Sequence, residues 1–486
     1  MNRRHFIGSA LCFAAGGWRL VAAEDLALGA ATLKLGVLSD IHFPQTPDHV
    51  PATPQEQIVF GNADYFRKAL EWYRDAGVDG VVIAGDMADL GLVCELEWVG
   101  KVWNEVFPGD RLPNGNRVEK LFVYGNHDIE GGKWEWTRKT FPEEPRICDD
   151  IAGAWEKAFG EKYEPFWTKT VKGYAFVGAH WDADNGVGSE KFFAPPTKTG
   201  LRDYLAKTLP AIDTDKPFFY IQHPHLKNTC YGPWAWGFDY GIATEALSGY
   251  PNAIAFSGHS HYPLTDERSV WQGAFTSIGT ASLYMIDLPE GRENGTPDWF
   301  PSQMKQLSVP IRQAALYTVH ADKTIVVDRR ELTTMEKLGP DWVIPVGGDR
   351  YAFDKAAART KPPEFAPDAK ITVSEVFDGE NRRGEKTRQF RATWPVALMS
   401  ERASRPFDYE ITAEIDAADF RRTLAKKRVF APNFWRPEKF DRGEVECLFA
   451  ADELVDRWPV SFSVRAFDCY GKASDPIELK DVLLKK

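Results

Sequence analysis

Five short segments of this 486-residue sequence combine carboxylates, imidazoles and glycines in patterns that could hold metal ions: Asp40-x-His42, Gly85-Asp86, Gly125-Asn126-His127-Asp128, His223 and Gly258-His259-x-His261. Nine histidines lie beyond the first 23 residues, and five of the nine fall in these segments. Neutral imidazole together with carboxylate and amide oxygen suits borderline or hard divalent metals such as Mn, Fe, Zn or Mg. The candidate ligands are Asp40, His42, Asp86, Asn126, His223, His259 and His261. Such a set can serve two ions only if one ligand is shared, and a carboxylate is the side chain best able to bridge. Two ions about 3.5 to 4 Å apart can acidify a water and neutralise charge on a phosphoryl group during in-line displacement. One histidine at a strand end is more often a hydrogen-bonding residue, but an ordered set of this size is not explained that way. Glycines 85, 125 and 258 could be turn residues only; their place before the ligands suggests that they also let the backbone come close.

These segments need elements that bring them together. Residues 33–42, LKLGVLSDIH, are an apolar run ending abruptly in polar residues, as a buried strand does when its C-terminal end opens into a site. The pattern recurs at 80–86, 120–128, 174–182, 218–225 and 253–261. Asn62 is a good N-cap for a helix with Phe66, Ala69, Leu70 and Tyr73 on its apolar face and Gly77 as its stop, which makes a βαβ unit with the neighbouring strands. A second helix fits Ile151 to Phe159. Strand ends on one edge of a sheet converge in space, so a cluster of ligands is the physical expectation. From about residue 367 the grammar changes to strict alternation, as in Phe407, Tyr409, Ile411, Ala413, Ile415 and in Val460, Phe462, Val464, Ala466, which predicts half-buried antiparallel strands. The segment 333–366, rich in Pro, Lys and Gly, reads as a linker.

Taken in order, the polar strand ends resemble those of the calcineurin-like metallophosphoesterases, over roughly residues 33–285. The resemblance implies an α/β fold, an αββα sandwich over 24–332. The closing VSFSVRAFDCYGKASDP resembles the last strand and turn of a fibronectin-type-III-like sandwich, which would make 367–486 an all-β domain. The family resemblance further implies that Asp40, His42, Asp86 and His261 hold one metal while Asp86, Asn126, His223 and His259 hold the other, with Asp86 as the bridge and a metal-bridging hydroxide as nucleophile. His127 matches the family histidine that lies beside the substrate and stabilises the transition state or protonates the leaving oxygen, and Asp128 would orient it. Purple acid phosphatases carry a metal-bound tyrosine three residues after the bridging aspartate. Here that position is Asp89, expected to be second to the ligands or solvated, so the sequence is more similar to the cyclic-nucleotide and broad phosphodiesterase branches. The familiar exported nucleotidases carry Glu where Asp128 stands.

Residues 1–23 look like a signal peptide, because Arg3-Arg4-His5-Phe6-Ile7 precedes a small-residue apolar stretch ending in Val21-Ala22-Ala23. The paired arginines are similar to a twin-arginine export signal, which places the mature protein in the periplasm or outside the cell. Loss of Arg3, Arg4 and Arg19, with no acid, takes the formal charge from −11 to −14. An acidic surface disfavours a nucleic-acid scaffold or nuclease role and suits a small or modest-sized organic phosphate. No apolar run after the leader is long enough to span a bilayer. The five remaining cysteines are odd in number and lack CxxC spacing, so neither a zinc-thiolate site nor a disulfide framework is indicated.

Substrate contacts are the last set of candidates. His180 and His225 lie near the motifs, and each could touch substrate or make a structural hydrogen bond. Trp234 and Trp236 sit in an aromatic, glycine-punctuated loop between His223 and His259, where they could stack on substrate or pack the loop. The leading expectation is an exported phosphate-ester hydrolase, with diesters preferred to monoesters. The other is a non-catalytic surface or glycan-binding protein that retains the fold.

Overall fold

The computed structural model of the chain describes residues 28–43, 62–232, 237–288, 307–309, 311–359, 361–380, 385–398, 405–417, 420–432, 434–436, 443–454 and 458–484. The proposed signal peptide, and Trp234 and Trp236, lie outside them.

Two sheets face each other in the first part of the chain. One is built on β1 (Ala31–Leu38), β2 (Gly80–Ala84) and β3 (Glu119–Val123), paired in parallel in that order. The other runs β4 (Phe166–Val171), β5 (Tyr174–Ala179), β6 (Phe218–Ile221), β7 (Ala253–Ser257), then β9 (Thr276–Gly279) and β8 (Val270–Gln272) at its far edge. Alternation along each strand explains the layers. Val82 and Ala84 of β2 and Phe219 and Ile221 of β6 point into a shared inner core. Val81 and Ile83 point the other way, under the helices Asn62–Ala76, Val93–Val106 and Ile151–Phe159. Phe218 and Tyr220 pack under Gly200–Thr208 and Ile242–Leu247. The result is helices outside, two sheets inside. The expected helix face of Phe66, Ala69, Leu70 and Tyr73 is fully buried. The six apolar runs are therefore all strands, but they divide three and three between two sheets rather than lining one edge. Among the described residues, no helix is long and apolar enough to cross a membrane.

The first sheet continues through β10 (Gln313–His320) and β11 (Thr324–Glu331), and beyond the expected domain end. Glu336–Lys337 and Trp342–Pro345 both pair with β11, and Phe353–Arg359 is helical. Segment 333–366, expected as a linker, adds strands to this first sheet in its first part, with Trp342 and Ile344 buried. From residue 372 the strands set the architecture. Two four-stranded antiparallel sheets form, one centred on Lys386–Pro395 and the other on Pro406–Ala417 and Val460–Asp468. The alternating residues Phe407 to Ile415 and Val460 to Ala466 are the buried face of the second of these sheets. This β-rich part shares the inner core cluster with the two-sheet sandwich. Gln313 Nε2 donates to the Trp435 carbonyl (2.9 Å), and the Arg268 guanidinium lies 5.0 Å from the Phe407 ring. None of the five cysteines in the described region forms a disulfide, so Cys447 and Cys469 are not bridged.

Candidate metal centre

The C-terminal ends of β1, β2, β3, β6 and β7 meet at the rim where the two sheets face each other. Asp40, His42, Asp86, His223 and His259 are all buried there. In each of three sets, Asp40 with His42 and His261, His42 with Asp86 and His127, and Asp86 with His223 and His259, one donor atom per residue lies within 4.8 Å of the others. Asp86 Oδ2 stands between two of these sets, 3.8 Å from His42 Nε2 and 3.0 Å from His223 Nε2. Asn126 Oδ1 joins from the His223 side, 3.0 Å from its Nε2. His261 Nε2 is 3.1 Å from Asp40 Oδ1 and 3.3 Å from His42 Nε2.

Neighbours outside the cluster fix which atoms face inward. His223 Nδ1 donates to the Ala84 carbonyl (2.7 Å), and His42 Nδ1 donates to Asp89 Oδ1 (3.0 Å). Both rings therefore present the Nε2 lone pair to the centre. The His259 amide donates to Asp40 Oδ1 (3.1 Å), tying the β7 loop to the β1 loop. The three glycines make room for ligands from other segments. A Cβ on Gly85 would come 2.4 Å from His223 Nδ1, one on Gly125 2.2 Å from Asp86 Oδ1, and one on Gly258 2.4 Å from Asp40 Oδ2. The main chain is strained as well. Asp40, His42, Asp86, His259 and His261 all have φ between 47° and 73°, a left-handed conformation costing about 1 to 2 kcal/mol each for residues with a side chain. Backbone bonds such as Ile41 N to the Asp86 carbonyl (2.8 Å) hold them in it.

Charge follows from this packing. Burial alone would push Asp40 and Asp86 up. The imidazoles of His261 and His223 around Asp40, and of His223, His127 and His42 around Asp86, outweigh it and hold both carboxyls below their usual range. Burial pushes His223 down, yet Asp86 and Asp40 raise it to about 9. Burial and the nearby His223 take His259 well below the ordinary imidazole range. Anionic carboxylates, two inward-facing Nε2 lone pairs and an amide oxygen converging within hydrogen-bond distance are a donor set that fits divalent cations.

His127 differs from the others. Its amide donates to Asp86 Oδ1 (2.8 Å), its Nδ1 donates to the Asp89 carbonyl (2.9 Å), and its side chain is 28% exposed, toward the opening. Burial would lower its pKa, but Asp86 and Asp89 push it up to about 10. Asp128 does not take the orienting part expected of it. Both its oxygens are used by backbone amides, Ala88 N on Oδ1 and Gly125 N on Oδ2, each at 2.7 Å. Burial and Asp86 push its carboxyl up to about 7. Asp89 is the residue that holds both His127 and His42.

Two further expectations are corrected. His180 is buried, accepts a bond from Tyr124 N on Nδ1 (3.0 Å) and is packed by Tyr124, Trp155 and Tyr163. His225 is buried between the Ser257 and Ser260 hydroxyls. Burial lowers each to about 3, and each is taken up by hydrogen bonds within the fold. One supporting residue escaped the sequence reading. Glu95, fully buried, accepts from Leu90 N (3.0 Å) and Leu92 N (2.9 Å) and so braces the turn that carries Asp89. An acid three residues into a helix, with apolar neighbours, was the available signal.

The model of the calcineurin-like phosphoesterase family matches residues 33–263. Solved structures with similarity include a dimetal phosphatase from Danio rerio (12% identity, 65% of this chain and 100% of that chain, TM-score 0.41). Others are the GAP50 anchor in the inner membrane complex of Plasmodium (14%, 68% and 93%, TM-score 0.38) and the purple acid phosphatase PPD1 from yellow lupin, Lupinus luteus (12%, 64% and 53%, TM-score 0.38). No curated protein matches the sequence. With five ordered motifs converging on one donor cluster, residues 33–263 carry the match to the calcineurin-like phosphoesterase family, and the chain is a metal-dependent phosphoric ester hydrolase that takes two divalent metal ions.

Proposed function

We propose that this hydrolase cleaves phosphodiesters in preference to monoesters, with Asp40, His42, Asp86 and His261 holding one ion, Asp86, Asn126, His223 and His259 the other, and His127 serving the leaving group. The position of Asp86 Oδ2 between the His42 and His223 nitrogens carries the assignment. When bound, the two ions supply an acidified water and neutralise charge on the phosphoryl group. The chain supplies the geometry. His127, with Nδ1 tied to Asp89, turns its other nitrogen toward the opening, where it delivers a proton to the departing alkoxide as the P–O bond breaks. The diester preference is supported by charge. The largest charges acting on Asp40 and Asp86 are those of site histidines and of the neighbouring aspartate rather than of an arginine or lysine. Asp89 supports the phosphodiesterase branch, since it grips two imidazoles where purple acid phosphatases place a metal-bound tyrosine. A panel of chromogenic monoesters and diesters with added manganese tests this. A diester advantage of about tenfold or more in kcat/KM is expected. The reverse order removes the diester reading, and no turnover of any ester by protein holding two ions removes the hydrolase reading.

Arg3-Arg4 and the small-residue stretch after them support export by the twin-arginine route, and the strand order of the C-terminal sheets supports a fibronectin-type-III-like sandwich over 367–486. Replacing Arg3 and Arg4 by lysine should retain the protein in the cytoplasm on cell fractionation. Undiminished export would rule the route out.

A further inference from the structure

Gln313 opens β10, is fully buried, and hydrogen-bonds to separate parts of the chain. Its Oε1 accepts from Leu264 N (2.7 Å), its main-chain amide donates to the Ser282 carbonyl (3.1 Å), and its Nε2 donates to the Trp435 carbonyl (2.9 Å). The first two bonds lead to metal ligands. Leu264 follows His261 closely in the same loop, and its carbonyl is held in turn by Arg329 Nη1 (2.6 Å). Ser282 Oγ donates to the Asp40 carbonyl (3.2 Å), and the Leu283 amide donates to the same carbonyl (3.2 Å). Asp40 and His261 both have left-handed backbone, at φ 51° and 55°, which persists only where the surroundings enforce it. His261 depends on them most. The outer nitrogens of His42 and His223 are pinned by Asp89 and by the Ala84 carbonyl, whereas His261 Nδ1 is buried with no hydrogen-bond partner among the described residues, so the aim of its ring rests on its main chain.

The bond to Trp435 leads into the C-terminal β-rich part. Trp435 is buried, and the carbonyls on either side of it, of Phe434 and Arg436, accept from Nη1 of Arg405, which also donates from Nη2 to the Leu338 carbonyl (2.6 Å). The chain just after Leu264 contacts the same part, since Arg268, paired with Asp266 (2.6 Å), places its guanidinium 5.0 Å from the Phe407 ring. A buried carboxamide bonded at both its oxygen and its nitrogen is a stiff link, because breaking either end leaves a buried polar group unpaired. A shift of Trp435 is thereby passed to Leu264. We propose that Gln313 is a positioning residue through which the C-terminal β-rich part holds the Asp40 and His261 loops in place, so that docking of that part is a condition for tight binding of the ion assigned to Asp40, His42, Asp86 and His261. This rests on the division of ligands proposed above. Gln313 acts through the main chain of both loops rather than by touching the ion.

The test strips the full chain of metal by chelation and titrates it with manganese in a calorimeter. Gln313→Met, which keeps the volume and removes both side-chain bonds, should weaken one of two binding steps about tenfold, the lower end of what partners behind metal ligands contribute. The weakened step should be the one lost in His42→Ala, and the step lost in Asn126→Ala should keep its Kd. Arg405→Met, which loosens the Trp435 segment without touching either loop, should act in the same direction. Val464→Ala, a cavity in the C-terminal core away from this joint, should lower Tm and leave both Kd values alone. Unchanged Kd values in Gln313→Met, equal weakening of both steps, or an equal effect of Val464→Ala would overturn the proposal, the last by reducing it to general stability. Amide hydrogen exchange on the metal-free chain gives a second readout that needs no ion. Arg405→Met should speed exchange in the His259–Leu264 segment about tenfold, and unchanged rates there would also overturn the proposal. Wild-type protein that takes up fewer than two ions would instead sink the ligand division, and the exchange rates would still decide whether the C-terminal part braces the loops.

Discussion

Asp86→Asn should purify with about one metal ion per chain or fewer and lose at least about a thousandfold in turnover, because several kcal/mol of transition-state charge stabilisation depend on two ions. The substitution is close to isosteric. The amide oxygen of the new side chain can still accept the His127 amide bond now made to Oδ1, and asparagine tolerates the left-handed backbone found there, so the fold should survive. What disappears is the negative charge between His42 and His223. Elemental analysis with a melting curve is decisive. Two ions retained by a folded variant would show that Asp86 is not the shared ligand.

His127→Ala should give the second large effect, and of a different kind. Its metal content should remain at two, since all seven proposed ligands are intact, while kcat falls about a hundred- to ten-thousandfold, the usual contribution of a positioned acid or transition-state donor. Asp89→Asn should follow it in direction with a smaller loss of about ten- to a hundredfold, because it removes the negative charge 3.0 Å from His42 Nδ1 and 3.5 Å from His127 Nδ1 while the bond from His127 to the Asp89 backbone carbonyl stays. Asp128→Asn should leave kcat nearly unchanged and lower Tm instead, since its oxygens serve the Ala88 and Gly125 amides. Metal loss in His127→Ala would make that residue a ligand. A kcat loss in Asp128→Asn equal to that in Asp89→Asn would return the orienting role to Asp128.

The comparison of Asp89 with Asp128 shows where sequence reading stops. The seven candidate ligands were legible because each follows an apolar run, and apolar runs that end in polar residues become strand ends at one rim. Adjacency in sequence then suggested Asp128 as the partner of His127. In the structure the two side chains diverge at the start of a helix, and the partner comes from the turn after β2, an approach that depends on how two loops pack. His180 and His225 failed similarly. They follow strands as the ligands do, but His180 turns inward onto the Tyr124 amide, and His225, two residues past His223 and beyond the end of β6, is turned by the loop onto Ser257 and Ser260. In segment 333–366 prolines and glycines mask the short apolar run Trp342-Val343-Ile344, which joins a sheet that begins at Ala31.

The left-handed backbone at Asp40, His42, Asp86, His259 and His261 also limits which sequences could ever build this centre. Asparagine, aspartate and histidine are the non-glycine residues that enter that conformation most readily. Aspartate and histidine are what these five positions carry. Main chain and metal thus draw on the same short alphabet of residue types, for unrelated reasons. Glutamate and cysteine are able ligands, yet they fall outside it. A change such as Asp86→Glu is therefore a longer step than one added methylene suggests, because the new side chain must satisfy the turn before it can reach the ion.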